Sequence, residues 1–190
     1  VPLTEQLRKE YDRLYTTIVI KPNRAVQLDR SIKMIVAGKP RYEQVSQRTG
    51  VPWPLIGVIH CLECDCNFNC HLHNGDPLNR RTVNAPKNRP VHGNPPFKWE
   101  DSAVDALQFQ ELNKWTDWSI SGSLYKLELY NGFGSRNHGV ATPYLWGGTT
   151  FYTKGKYILD GKWDVNAISA QIGGAAILYK MNKMGLIKFP

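Results

Sequence analysis

Glu63 and Asp76 are the residues whose type and setting point most directly to chemistry in this 190-residue sequence. Glu63 follows the most apolar helical run, Leu55-Ile56-Gly57-Val58-Ile59, at the point where the chain should leave the core. A carboxyl group pressed against apolar walls stays protonated near neutral pH and can give its proton to a glycosidic oxygen, which is general-acid catalysis. A solvated helix glutamate is the bland alternative. Asp76 sits in His71-Leu72-His73-Asn74-Gly75-Asp76-Pro77-Leu78, where Asn74-Gly75 favours a reversal of the chain. An ionised carboxylate facing the acid would position water or stabilise an oxocarbenium-like transition state. An Asx turn before Pro77 explains the same residue without chemistry.

Cys61, Cys64, Cys66 and Cys70 fall within ten residues, beside His60, His71 and His73. Thiolates and imidazoles are metal ligands, but C-x2-C-x-C-x3-C lacks the paired knuckles of zinc ribbons and the second two-residue gap of ferredoxin runs. The simpler expectation is small thiols on a helix and the turn after it. The competing function class is a metal- or nucleic-acid-binding protein built on Cys61–Cys70 and the net charge of +8. A third class is a non-catalytic glycan-binding module. Basic residues are scattered, with Arg80-Arg81, Lys87 and Arg89 the densest group, so no polybasic arm marks a nucleic-acid partner.

These residues need a scaffold, and hydrophobic types at 42% with charged types at 21% give a globular composition rather than a disordered or fibrous one. No apolar stretch approaches the roughly 18 residues of a membrane span, and no basic-then-apolar leader is visible. Leu3, Leu7, Tyr11, Leu14 and Tyr15 predict a helix capped by Thr4. A second helix is expected over Ala25–Ala37, stopped by Gly38 and Pro40, and a short polar one over residues 41–49. Pro52 and Pro54 open the helix that leads to Glu63. Residues 67–97, rich in Pro, Asn and Arg, predict turns and brief strands. Helices return over Ala103–Leu112, with Asp101 or Ser102 as cap, over Ser119–Leu129, and from Asp164 to Met184-Gly185, with Ile168, Ile172, Ala175, Ala176 and Tyr179 inward. The expected fold class is α+β, predominantly helical, with a small β insertion and a cleft between the two parts.

Between Asn131 and Gly161 the sequence offers Phe133, Tyr144, Trp146, Phe151 and Tyr152 beside Asn131, Asn137 and His138. Flat apolar rings with amide donors suit carbohydrate clefts, although some of these rings must simply hold the segment to the core. Arg80, Arg81 and Arg136 are cations that could meet acidic peptide stems or lactyl groups.

Several of these segments together resemble a lysozyme-like family of bacteria and phages. They are Gly57-Val58-Ile59-His60 with Glu63, His71 to Leu78, Gly93-Asn94-Pro95-Pro96-Phe97 with Trp99-Glu100, and Tyr130-Asn131-Gly132-Phe133-Gly134. Pro143-Tyr144-Leu145-Trp146, Tyr152 to Tyr157 and Asp160-Gly161 continue the similarity, which covers about residues 50–184. The resemblance implies a single lysozyme-like catalytic domain over 1–190, its first 50 residues least matched, that cuts peptidoglycan. Glu63 would end a buried helix as general acid, residues 67–97 would form the β wing, and Tyr130-Asn131 would line the far wall of the cleft. Phage lysozymes of the T4 type carry an aspartate and, six residues on, a threonine, an interval that Asp76 and Thr82 repeat. His73, Tyr144, Trp146 and Arg136 join Tyr130 and Asn131 as candidate substrate-binding residues. The expected activity is that of a muramidase-type glycoside hydrolase, with lytic transglycosylation as a variant. It would act as a monomer on peptidoglycan glycan strands at the bacterial cell wall. No cofactor, metal, nucleic acid or stable membrane insertion is expected.

Overall fold

Thr4 closes the start of the first helix, its hydroxyl accepting from the Leu7 amide at 3.2 Å, and α1 runs Glu5–Thr16 with Leu7, Tyr11 and Tyr15 buried on one stripe. The structure, a computed structural model, describes residues 1–159 and 161–190, so Asp160 lies outside the described residues. Two compact units result, one of Val1–Ile32 with Asp117–Pro190, the other of Lys33–Thr116.

In the first unit α1 packs on α5 (Ile120–Asn131), which Ser119 caps by accepting from the Gly122 amide. A short α6 (Pro143–Trp146) and α7 (Gly174–Lys183) complete the helical core around Leu124, Leu127, Leu145, Ile177 and Met181. Two short antiparallel strands, β1 (Lys156–Leu159) and β2 (Lys162–Asp164), pair Lys156 with Asp164 and Tyr157 with Trp163. The final helix thus starts ten residues later than its periodicity predicts. Asp164 Oδ1 accepts from the amides of Asn166 and Ala167 in a turn instead, and Ile168 is 68% exposed. Gly173 then lies so tightly on the Leu145 carbonyl that any side chain there would overlap it.

The second unit takes up most of α2, a single 25-residue helix over Ala25–Thr49 that replaces the two helices expected on either side of Gly38 and Pro40. An internal proline costs a helix about 3 kcal/mol. Burial of Ile35, Tyr42 and Val45 on one stripe opposes that cost, and Gly38 leaves room for the Tyr42 ring, 2.7 Å from where a Cβ would stand. α3 (Trp53–Cys64) is buried on nearly every side from Pro54 to His60 and ends at Asp65, which takes the left-handed φ of 50°. Gly57 admits Ile35 and Tyr42 against its backbone. α4 (Trp99–Phe109) starts before the expected caps: Asp101 stands in its first turn, and Ser102 is fully buried with its hydroxyl engaged elsewhere. Leu112 lies in a 3-10 turn after α4.

The brief strands expected in residues 67–97 reduce to one bridge, Cys70 with Pro77. Prolines 77, 86, 90, 95 and 96 lack the amide donors a ladder needs, and the wing is held by scattered backbone bonds, such as Thr82 with Arg89 and Phe97 to Leu78, together with side-chain ties. The fold is α+β and largely helical, with its only named strand pair among the described residues at 156–164. No helix among the described residues is long and apolar enough to cross a membrane.

Candidate functional site

Glu63 stands on the last turn of α3, half-buried, where the most apolar helix of the chain surfaces. The wing folds directly onto that turn. Gly75, at φ +79°, would bring a Cβ to 2.9 Å from the Glu63 carbonyl oxygen, so only a glycine fits there without displacement. Cys64 Sγ donates to the His71 carbonyl at 3.2 Å, a second tie between helix end and wing. Burial pushes the Cys64 thiol well above its ordinary range, so it stays a neutral donor.

Asp76 lies inside this wing, 6% exposed. Its Oδ2 accepts from the amides of Val83 (2.8 Å) and Asn84 (2.9 Å), and its Oδ1 accepts from Asn84 Nδ2 (2.7 Å). Asn74 Nδ2 adds a contact at 3.2 Å. Burial alone would raise this carboxyl, but these donors outweigh it and hold its pKa below the usual aspartate value. Thr82, six residues on, is 1% exposed. Its hydroxyl donates to the Pro86 carbonyl and accepts from the Arg89 amide at 2.9 Å, so it closes the 82–89 loop. Both side chains therefore frame the wing beside Glu63, and their polar atoms are largely engaged within it.

Two histidines fasten the wing to α4. His71 Nε2 donates to the Arg80 carbonyl, and its Nδ1 pairs with the Ser102 hydroxyl at 2.6 Å. His73 Nε2 donates to Asp105 Oδ2 at 2.8 Å, and the same carboxylate takes a two-pronged pair from Arg89. Burial lowers the His73 pKa to about 4 against the opposing pull of Asp105, leaving a neutral ring. His73, expected to touch substrate, is buried and acts as an anchor here.

The remaining candidates belong to the first unit. Asn131 ends α5, is exposed and lines a cavity of about 690 Å³ together with Tyr144 and Tyr157. Tyr130 precedes it, half-buried. Trp146 is 1% exposed, edge-on to Phe151, and belongs to the core rather than to an open sugar platform. Arg136 is likewise turned inward: its Nε and Nη2 donate to both oxygens of buried Glu128 at 2.8 Å, and its Nη1 to Glu10 at 2.9 Å. The Tyr11 hydroxyl donates to Glu128 at 2.6 Å.

No protein-family model, curated protein or solved structure matches the chain.

The four cysteines are thiols rather than disulfides: Cys61 and Cys64 on the end of α3, Cys66 in the turn after it, and Cys70 in the bridge to Pro77. Among the described residues no three His, Cys, Asp or Glu side chains are grouped to hold a metal ion. Sequence reasoning passed over Glu128, Asp105 and Arg89. Glu128 carried a usable signal, the lone carboxylate of its helix, set between Leu127 and Leu129. Asp105 and Arg89 carried none, since their pairing joins a loop to a helix.

Proposed function

We propose that this chain is a peptidoglycan-degrading glycoside hydrolase of the muramidase type, with Glu63 as the general acid. The observation that carries this reading is Glu63 itself, half-buried on the last turn of the apolar helix α3, with the wing turn at Gly75 packed against its backbone carbonyl. Glu63 protonates the glycosidic oxygen as the bond breaks, and the sugar cation that develops is met by water, or by the sugar's own hydroxyl in a transglycosylase. Asp76 and Thr82 act by fixing the wing that borders the acid. Tyr130, Asn131 and Tyr144 serve glycan binding, and the net charge of +8 favours the acidic wall polymer. The protein works at the bacterial cell wall, with glycan strands as its partner.

Glu63→Gln keeps the shape of the side chain and removes its proton. Loss of positioned proton transfer lowers the rate on the order of 10²–10⁴-fold. Wall-suspension clearing at the wild-type rate by the purified variant overturns the assignment, and product ends read by mass spectrometry identify the bond cut.

A further inference from the structure

The cavity of about 690 Å³ in the first unit has a lining of hydroxyl, amide and aromatic groups, among them Asn131, Ser169 and Tyr157, and among its described residues a single charge, Lys156. Asp164 lies across the ladder from Lys156 with its Oδ1 accepting from the Asn166 and Ala167 amides, and among the described residues no ion pair engages the Lys156 ammonium. Arg136, one of the three cations the sequence offers for acidic wall groups, is held by Glu128 and Glu10 and cannot serve there without breaking its pair with the buried Glu128 carboxylate.

One wall of the cavity is β1 with Gly161, and the rings beside it pack on one another. His138 stacks flat on Trp163 with centroids 4.0 Å apart. Tyr157 stands edge-on to Trp163, with its hydroxyl 3.2 Å from His138 Nε2. Gly134 leaves the space the Tyr157 ring needs, 2.8 Å from a hypothetical Cβ. The hairpin thus presents Lys156 and the half-exposed Tyr157 from a braced surface, and a cavity of this size lies within the range of about 300–1,000 Å³ typical of small-ligand sites.

We propose that this cavity is a subsite for a carboxylate-bearing amino-sugar glycan, in which the Lys156 ammonium receives the carboxylate while Asn131 and Ser169 bond the sugar's amide and hydroxyl groups. The identity of the glycan rests on the peptidoglycan reading above. The charge preference rests on the cavity alone. An ammonium is a compact donor that tolerates varied carboxylate geometry, which suits a flexible peptide stem better than a rigid fork would.

The test is equilibrium binding of the full chain, by calorimetry and by the Asn131 side-chain amide signal in NMR. The probes are muramyl dipeptide, which carries one carboxylate, and the same compound with that group converted to an amide. A hydrogen bond to a charged partner supports a preference of about tenfold for the acid. Lys156→Gln removes the preference and Lys156→Arg retains it. Equal affinity for both probes, a preference that survives Lys156→Gln, or no binding of either probe by the wild type overturns the proposal. None of these readouts requires turnover, so active Glu63→Gln protein would end the hydrolase assignment and leave the charge preference standing or falling on its own.

Discussion

Gly75 approaches Glu63 so closely that the smallest side chain at position 75 would come to 2.9 Å from the carbonyl oxygen of residue 63. The left-handed φ of +79° at Gly75 adds a second penalty, about 1–2 kcal/mol for a residue with a Cβ. Gly75→Ala therefore lifts the wing away from the end of α3. The expected result is a lower melting temperature together with a fall in wall-clearing activity that persists at temperatures where the variant is fully folded. Unchanged activity in folded Gly75→Ala would detach the wing from catalysis.

Asp76 and Thr82 have their polar atoms engaged within the wing. Hydrogen bonds to a charged acceptor contribute roughly 1.5–3 kcal/mol each, and a buried donor left unpaired costs about 1–3 kcal/mol. Asp76→Asn and Thr82→Val should each destabilise the chain by about 2 kcal/mol, the first by weakening the hold on Val83 and Asn84, the second by stranding the Arg89 amide. Urea unfolding measures the loss. If Asp76 instead acted on the reacting sugar, its amide variant would keep native stability and lose turnover.

Acid should loosen the second unit through two buried histidines. His73 faces Asp105, His71 and Arg89, and His60 faces Tyr42 and Arg41; burial is the leading cause that lowers each pKa to about 4. A base whose pKa falls on folding takes up its proton first in the unfolded chain. Stability is then complete above about pH 6.5 and declines as pH falls towards about 4, by on the order of 3 kcal/mol for each ring. Melting curves between pH 7.5 and 4.5 should show the decline, and His73→Gln should flatten part of it. A level wild-type profile in that window contradicts the account.

The pairing of Arg136 with Glu128 predicts strong coupling in the first unit. Arg136→Met leaves Glu128 with only the Tyr11 hydroxyl among the partners named above, and breaking a buried pair in this way costs about 3–5 kcal/mol. The double replacement with Glu128→Leu should recover much of the loss, because both charges are then gone. Denaturant titration of the four proteins gives the coupling. Additive single effects would show that the pair is not a unit.

What the sequence makes legible is what its neighbours in the chain decide. Thr4 and Leu7 lie three residues apart, and the cap they form follows from local pattern alone. The apolar run before Glu63 likewise announces a buried helix with a carboxylate at its end. The errors arise where distant residues settle a local contest. Pro40 stays helical because Ile35, Tyr42 and Val45 are buried on the same rod. Ile168 and Ile172 mimic a helical stripe, yet Asp164 captures two amides and turns the chain. Arg136 reads as a surface cation until Glu10, 126 residues earlier, and Glu128 are brought to it.

The wing between residues 67 and 97 is fastened at separate knots, Asp76 on residues 83 and 84, Thr82 on residues 86 and 89, His71 on residues 80 and 102, rather than by a continuous ladder of backbone bonds. A ladder fails along its whole length when its register slips, whereas a knot can be untied or retied by itself. Exposed positions such as Val91 and His92, which lie between the Thr82–Arg89 knot and the hold of Arg81 on the Gly93 carbonyl, can therefore accept changes of charge while the surroundings of Glu63 keep their shape. Variation confined to those positions alters the surface of the wing at little cost to its fold.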